Sequence, residues 1–264
     1  MKQFTVMDRI RQGSRIILLG GWIVIFYPAW IMGRWLVSRS PTRTRRWNSL
    51  ATRIWAAVIL KILRIRVQLI GTMPPPASFI VSNHLGYLDI LVLGAGLGAT
   101  FVSKHELSEW PILGHLARGA GTIFIKRRRY RDILEVQSMI GEAITQGATV
   151  VLFPEATSSN GEQVLPIKGG LLAWATDTGV VIHPAVVNYR SHQPEKNASR
   201  WVAWGDEEPF TNHALGLLSV SNITATIMFG DAVPATGSRT SLVASLQTTL
   251  DQMHHEIKYT DSPL

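Results

Sequence analysis

The strongest constraint on this chain is an uncharged stretch near its N-terminus, residues 16–33, with arginines on both sides. Its eighteen residues reach the lower end of the length that a helix needs to cross a bilayer. Pro28 lies inside the stretch and favours a kink. The stretch therefore predicts a membrane-associated helix that either spans the bilayer or re-enters it. Its aromatic residues, which are typical of a membrane interface, are Trp22, Phe26, Tyr27 and Trp30.

Positive charge is concentrated in the same part of the chain. Residues 1–70 contain thirteen lysines and arginines against Asp8, whereas residues 71–264 contain thirteen against seventeen acidic residues. The arginines alternate with tryptophan, isoleucine and leucine, which favours anionic membrane lipids over nucleic acid as the partner. Residues 47–69 predict an amphipathic basic helix whose last turns become a strand. A signal peptide is disfavoured because no small-residue cleavage site follows residue 33.

A proline-rich linker, residues 71–76, divides the chain, because its three prolines exclude both helix and central strand. We therefore expect a membrane-associated helical segment at residues 1–70 and an α/β domain at residues 71–264. In the second part, short β-rich runs alternate with longer helical patterns such as residues 132–145. The predicted strands are residues 78–81, 149–153, 180–187 and 224–229.

Several classes of site are disfavoured by the residues present. The absence of cysteine excludes disulfides, thiolate nucleophiles and sulfur-ligated metals, and no Gly-x-Ser-x-Gly nucleophile elbow occurs. Residues 94–99 fit a loose dinucleotide fingerprint, but no acidic residue follows near position 120, so packing or a turn explains these glycines better. His254, His255 and Glu256 are interpreted as a solvated helix face, because adjacent histidines point in different directions. We expect no metal and no bound cofactor.

A histidine and an aspartate, His84 and Asp89, follow the first predicted strand of the α/β domain five positions apart. A carboxylate here can accept a hydrogen bond from one imidazole nitrogen and leave the other nitrogen as a base toward a substrate hydroxyl. A histidine that caps a helix or fills a polar pocket explains the same pair. Since no protein nucleophile is evident, the catalytic interpretation requires the substrate to supply one.

Charged residues also follow two other predicted strands. Residues 121–129 form a short β-rich run that ends in four cations, which bind a phosphate or carboxylate or form a solvated loop. Glu155 follows an apolar strand that ends at Pro154, where open α/β sheets bind ligands. Pro184 interrupts the run at residues 181–187, a pattern that is more often structural than chemical. The four cations are Lys126, Arg127, Arg128 and Arg129.

Four blocks in order resemble the glycerolipid acyltransferase family, typified by lysophosphatidate acyltransferases: residues 84–89, 121–127, 153–157 and 182–187. The resemblance implies an α/β fold with a central mixed sheet flanked by helices, preceded by a helical element embedded in one leaflet of the membrane. It also implies direct acyl transfer. In that reaction His84 deprotonates an acceptor hydroxyl, Asp89 orients His84, and the alkoxide attacks the thioester of acyl-CoA or acyl-carrier protein.

The same resemblance implies roles in substrate binding. Arg127, with Lys126 and Arg128 beside it, would belong to the acceptor head-group site. Glu155 and Thr157 would contribute to acceptor binding. The resemblance places Pro184 on the acyl-donor side of the pocket.

The chain departs from the family pattern at three positions. Lys126 stands where an acidic residue or asparagine is usual, and Ala156 and Ser158 replace a glycine and an arginine. The loss of the arginine weakens the case for a phosphomonoester on the acceptor. The Thr-Ser-Ser form, together with residues 204–206, resembles the lyso-ornithine-lipid branch of the family.

These features predict a membrane-bound O-acyltransferase on the cytoplasmic face of a bacterial inner membrane. The simplest acceptor is the lysolipid 1-acylglycerol-3-phosphate, which would yield phosphatidate, and the alternative acceptor is lyso-ornithine lipid. Two alternatives belong to other classes: a membrane-surface binding protein without catalysis, and a hydrolase in which the histidine and aspartate activate water.

Overall fold

The computed structural model describes residues 2–110, 113–126, 130–205 and 208–260. These residues form three layers, with an eight-stranded sheet between two groups of helices. The helices are α1 (Val6–Val37), α2 (Pro41–Leu63), α3 (Leu88–Leu97), α4 (Leu113–Ala120), α5 (Tyr130–Thr145), α6 (Ala173–Thr178), α7 (Ala198–Trp201), α8 (Phe210–Ser219) and α9 (Arg239–Thr260). The strands are β1 (Ile65–Ile70), β2 (Phe79–Ser82), β3 (Thr100–Lys104), β4 (Ile123–Ile125), β5 (Val150–Leu152), β6 (Val181–Ser191), β7 (Ile223–Phe229) and β8 (Val233–Pro234).

The sheet is mixed, which confirms the expected fold class. Its strand order is β1-β7-β6-β2-β5-β3-β4, and β8 pairs with β6. β6 runs antiparallel to β7 and β8, while the other neighbouring pairs are parallel. Because β2, β5, β3 and β4 are mutually parallel, the loops that follow them all leave the carboxyl edge of the sheet, where these strands end. That edge is where open α/β sheets usually bind ligands.

All four predicted strands are confirmed, as β2, β5, β6 and β7, and the helix predicted at residues 132–145 corresponds to α5. Pro184 lies inside β6, which continues through it and comprises eleven residues in all. A proline lacks the backbone N–H, but its carbonyl oxygen still accepts a hydrogen bond from the Gly230 N–H at 3.0 Å. Pro184 also keeps its place opposite Val81 in the parallel ladder with β2.

Apolar side chains cover both faces of the sheet, as expected for largely parallel strands. α2, α3 and α8 pack on one face, where fully buried residues include Leu88 and Val92. α5, α6 and α9 pack on the other face, where they include Ile140 and Leu250. The sheet is therefore buried on both sides and holds its loops at fixed positions.

The N-terminal helix α1 is continuous over 32 residues, including Pro28. At about 1.5 Å per residue it is about 48 Å long. Among the described residues it is the one helix long and apolar enough to cross a membrane, and 6% of its most apolar window is buried. Its exposed side chains include Ile17, Val24, Ile25, Trp35 and Leu36. The uncharged stretch thus forms part of a longer helix with an apolar exposed surface.

Polar contacts attach α1 to the rest of the protein near both of its ends. Near the N-terminal end, Asp8 accepts a hydrogen bond from the buried Lys196 ammonium at 2.5 Å. Near the C-terminal end, the Arg34 guanidinium donates to the Gly119 carbonyl at 2.6 Å. The Trp47 indole of α2 donates to the Trp30 carbonyl at 3.1 Å. α1 therefore lies along the α/β structure and leaves one side exposed.

The region predicted as an amphipathic helix ending in a strand, residues 47–69, corresponds to the later part of α2 and to β1. The chain turns at Arg64, which adopts the left-handed conformation. β1 then pairs in parallel with β7 along all six of its residues. Residues 65–70 are thus part of the central sheet.

Candidate active site

Two loops of the predicted site meet at the carboxyl edge of the sheet. β2 and β5 are neighbouring parallel strands in which Val81 lies opposite Leu152. His84 follows β2 by two residues and Glu155 follows β5 by three, so both loops emerge side by side. The backbone N–H of Ser159, in the second loop, donates to the His84 carbonyl at 2.9 Å. Parallel pairing thus brings together residues about seventy positions apart in the chain.

His84 and Asp89 form a hydrogen-bonded pair. The His84 Nδ1 lies 2.8 Å from Asp89 Oδ2, and the aspartate is fully buried at the start of α3. The same oxygen accepts hydrogen bonds from the backbone N–H groups of Leu85 at 2.6 Å and Gly86 at 3.0 Å. The other oxygen, Oδ1, accepts one from the Tyr189 hydroxyl at 2.5 Å. A carboxylate in this position accepts from Nδ1–H and so places the lone pair of the neutral imidazole on Nε2.

The His84 ring is held by stacking and remains accessible. It stacks on the Phe153 ring, with centroids 4.1 Å apart and an interplanar angle of 16°. Its side chain is 22% exposed, and no residue that the structure describes makes a hydrogen bond to Nε2. The arrangement can therefore bind a hydroxyl at Nε2 and accept its proton. No serine or threonine hydroxyl among the described residues is hydrogen-bonded to His84.

The loop between the pair needs a glycine at position 86. Gly86 has a φ of +140°, and a Cβ there would lie 3.1 Å from the Trp204 backbone and Cβ atoms. The Trp204 N–H also donates to the Leu85 carbonyl at 2.7 Å. The segment that precedes α8 therefore packs directly on this loop.

Glu155, which was predicted to contribute to acceptor binding, is 2% exposed and is held by backbone groups of two loops. Its side chain is buried, and its two oxygens accept hydrogen bonds from the backbone N–H groups of His84 at 2.7 Å and Leu165 at 3.0 Å. Burial raises its pKa to about 7, more than these two hydrogen bonds lower it. Glu155 thus ties the His84 loop to the loop that follows β5.

Asn83 was not identified from the sequence, yet it fixes the register of the His84 loop. Its buried side-chain amide donates to the Val187 carbonyl at 3.0 Å, and its Oδ1 accepts from the Val187 N–H at 2.7 Å. These bonds continue the β2–β6 pairing beyond the end of β2. The sequence signal was only an asparagine next to the histidine, which by itself is common in turns.

Of the predicted head-group cations, the structure describes Lys126. Lys126 is exposed and follows β4, the outermost strand on that side. Neighbouring strands lie about 4.8 Å apart, so β4 is about 14 Å from β2 across the sheet. The structure therefore places Lys126 on the same edge as His84 but does not bring the two together. Arg127, Arg128 and Arg129 lie outside the described residues.

Thr157 and Pro184 occupy different surroundings. Thr157 is half-buried in the loop after β5, two residues beyond Glu155. Pro184 is buried in β6, and its ring adjoins Gly230 beside Met253 of α9. Because Pro184 lies opposite Val81, it belongs to the α9 side of the sheet, whereas Phe153 belongs to the other.

The C-terminal histidines need one correction. His254 is buried, not solvated, and its Nε2 donates to the Gly161 carbonyl at 3.1 Å, while His255 is exposed. Burial lowers the pKa of His254, which is therefore neutral near pH 7. Within the described ranges, no group of side chains is arranged to hold a metal ion. The glycines at residues 94–99 serve packing and a turn, as expected: Gly94 faces α2, and Gly98 ends α3 in the left-handed conformation.

Comparison with known proteins agrees with this geometry. A family model described as Acyltransferase matches residues 64–188. The lyso-ornithine lipid O-acyltransferase of Rhizobium meliloti is 31% identical over 83% of this chain and 78% of its own length. The protein of the same name from Rhodobacter capsulatus is 36% identical over 67% of this chain, which spans 64% of that relative's length.

A solved structure has the same fold. The 1-acyl-sn-glycerophosphate acyltransferase PlsC of Thermotoga maritima superposes with a TM-score of 0.72 over 97% of this chain and 98% of its own, at 17% identity. The shared fold, the family match and the extended similarity to the Rhizobium protein agree with one another. The chain belongs to the glycerolipid acyltransferase family.

Proposed function

We propose that this protein transfers a fatty acyl group from a thioester to the free hydroxyl of a lysolipid at a membrane surface. The observation that carries the proposal is the accessible Nε2 of His84, backed at Nδ1 by the buried Asp89. The pair lies on a loop held by Glu155 and Asn83, so its position is rigid. A positioned base to which no hydroxyl of the described residues is bonded suits a reaction in which the acceptor itself is the nucleophile.

The proposed reaction has two steps that both use His84. The acceptor hydroxyl gives its proton to Nε2 while its oxygen forms a bond to the thioester carbonyl carbon. The tetrahedral intermediate then collapses and its carbon–sulfur bond breaks. The departing thiolate takes the proton from the imidazolium. The products are an acylated lipid and the free thiol of coenzyme A or acyl-carrier protein. Asp89 stabilises the imidazolium that exists between the two steps.

The acceptor that we propose is lyso-ornithine lipid. The Rhizobium and Rhodobacter relatives carry that activity in their names, and the Rhizobium similarity extends over 240 residues. Ser158 also stands where an arginine for a phosphomonoester is usual in the family. An acceptor without a phosphomonoester does not need that cation. The second candidate, 1-acylglycerol-3-phosphate, is favoured by Lys126 at the same edge of the sheet.

A competition of acceptors and donors tests this assignment. The purified protein is offered lyso-ornithine lipid or 1-acylglycerol-3-phosphate, each with acyl-CoA and with acyl-carrier protein, and with His84→Ala as the blank. We expect kcat/KM for lyso-ornithine lipid to exceed kcat/KM for 1-acylglycerol-3-phosphate by about tenfold or more. The opposite order would assign the protein to lysophosphatidate. Free fatty acid released without an acceptor would identify a hydrolase instead.

We also propose that α1 lies in the leaflet at the cytoplasmic face of a membrane and does not cross the bilayer. The contacts of Asp8 and Arg34 at its two ends support this arrangement, because a crossing helix would have to leave the domain. Exposed apolar side chains cover the outer side of α1. The exposed arginines Arg39, Arg43 and Arg46 lie near its end and suit anionic lipid head groups.

Charged substitutions on the outer side of α1 test this proposal. Ile17 and Val24 are 76% and 73% exposed and lie two turns apart on one face. In the double variant Ile17→Glu, Val24→Glu we expect affinity for vesicles of phosphatidylethanolamine and phosphatidylglycerol to fall at least about 100-fold, because charged groups are costly in hydrocarbon.

The matched control places the same two charges on α9, at the exposed Ser245 and Thr248. Vesicle binding is measured by flotation. The double variant Ser245→Glu, Thr248→Glu should float with the vesicles to the same extent as the unaltered protein. Equal flotation of the α1 and α9 variants would show that this side of α1 does not enter the membrane.

A further inference from the structure

The two oxygens of the Asp89 carboxylate have different surroundings. Oδ2 accepts three hydrogen bonds, all from the His84 loop. Oδ1 accepts from the Tyr189 hydroxyl at 2.5 Å, across a separation of 100 residues in the chain. Asp89 is fully buried and Tyr189 is 6% exposed, so water does not readily replace this hydroxyl. Tyr189 is thus the contact that links Asp89 to the central sheet.

β6 holds Tyr189 at a defined position relative to the loop. The Asn83 side chain pairs with both backbone groups of Val187, two residues before Tyr189. Residues two apart on a strand point to the same face, so Val187 and Tyr189 both face the side on which α3 packs. The loop is therefore attached to β6 at two points, one at each side of His84.

We propose that Tyr189 is a positioning residue that fixes the rotation of the Asp89 carboxylate and, through it, sets how readily His84 takes up a proton. This inference rests on the proposed function, in which His84 is the base. Burial raises the pKa of Tyr189 well above its ordinary value, so the hydroxyl stays a donor over the working pH range.

Loss of the Tyr189 hydroxyl should change proton uptake by His84 in a predictable direction. Without it, the buried Oδ1 has no hydrogen-bond donor among the described residues, and the negative charge is no longer shared with the tyrosine. The charge then stabilises the protonated imidazole more strongly, so His84 takes up its proton at higher pH. The freed carboxylate can also rotate, which lowers the fraction of His84 in the reactive orientation.

Other titratable groups lie near the pair. Glu155 faces it from the loop after β5, and burial raises the pKa of this residue to about 7. Tyr87 lies in the His84 loop, and its hydroxyl bonds to His213 of α8 at 3.0 Å. Burial lowers the pKa of His213 to about 4, so that residue stays neutral. Glu155 is common to all the proteins compared in the test, so differences between them report on the altered residue.

The test compares three proteins with the unaltered chain: Tyr189→Phe, a protein with 3-fluorotyrosine at position 189, and Tyr87→Phe. The third is the matched control, since it removes a hydroxyl from the same loop without touching Asp89. The primary measurement is the titration of the His84 ring by NMR of isotope-labelled histidine, assigned with His84→Ala. It does not depend on turnover, so it reports on the inference even if acyl transfer itself is not found.

We expect the His84 titration and the acid limb of the kcat/KM profile to move up by about half to one pH unit in Tyr189→Phe. We expect kcat to fall about tenfold, with KM within about twofold, because the hydroxyl is buried against Asp89 and acts through it. The fluorinated tyrosine is a stronger donor and keeps the ring in place, so it should move the titration to lower pH. Tyr87→Phe should leave the titration where it is.

Two results would overturn the inference. One is an unchanged His84 titration in both altered forms of residue 189. The other is a shift of the same size in Tyr87→Phe, which would make the effect a general response of the loop. If Tyr189→Phe does not fold, the direction in which the fluorinated tyrosine moves the His84 titration decides the inference by itself. Failure of acyl transfer in the unaltered protein would count against the proposed function only.

Discussion

Replacing His84 with alanine is expected to lower kcat/KM for acyl transfer by about 10³-fold or more, because a positioned general base contributes on that scale and no second histidine among the described residues is bonded to Asp89. Asp89 cannot act in its place, since it is fully buried behind the imidazole. The variant should keep its fold, because the His84 side chain is 22% exposed. Transfer of radiolabelled acyl groups to lyso-ornithine lipid measures the loss.

The control for this variant is His255→Ala, which removes an exposed histidine from α9. It should retain activity within about twofold, as surface substitutions usually do. His84→Ala should still bind vesicles as the unaltered protein does, since the exposed side of α1 is unchanged. A His84→Ala protein that acylates at more than a tenth of the normal rate would retire the catalytic role. The chain would then be better explained as a membrane-surface binding protein.

Replacing Arg15 with methionine is expected to lower the free energy of unfolding by about 3 kcal/mol, because it leaves buried carbonyl oxygens without donors. Arg15 is 3% exposed in α1. Its guanidinium donates to the carbonyls of Leu63 at 2.6 Å and Leu218 at 2.9 Å, and also to that of Val220. These carbonyls lie at the ends of α2 and α8, where a cation is favourable. Thermal or urea unfolding in a mild detergent measures the effect.

Arg9→Met provides the matched comparison, because Arg9 lies on the same helix and is exposed. Its unfolding free energy should stay within about 0.5 kcal/mol of the unaltered value. If both variants unfold alike, α1 is not anchored to the α/β structure through Arg15. Such a result would count against an α1 that stays attached to the domain and lies flat in one leaflet. A large loss in Arg15→Met alone would agree with a helix that belongs to the folded domain.

Local patterns in the sequence were sufficient for much of the fold. The apolar runs that became β2, β5, β6 and β7 are visible because buried strands need continuous β-branched and apolar residues. The uncharged stretch within α1 and the basic face of α2 follow from composition over a few turns. The spacing of His84 and Asp89 is local as well, since one turn joins the end of β2 to the start of α3.

Other features depended on contacts between distant parts of the chain. Glu155 looked like a ligand-binding carboxylate because it follows a strand, but in the folded protein it accepts the His84 and Leu165 N–H groups. The sequence pattern placed His254 on a solvated face, but in the folded protein the loop at Gly161 covers it. In both cases the partner is a backbone group whose position no local pattern reveals.

The sequence by itself determined that this is an α/β protein with a long apolar stretch near its N-terminus and a histidine–aspartate pair at a strand end, because apolar runs, charge clusters and short spacings are local properties. Only the tertiary structure decided what surrounds that pair. The order of the parallel strands brings Glu155 beside His84 and leaves Lys126 at the outer edge. The long strand β6 brings Tyr189 to Asp89 from 100 residues away. Such contacts depend on how strands are ordered in the sheet, and that order results from packing of the whole chain.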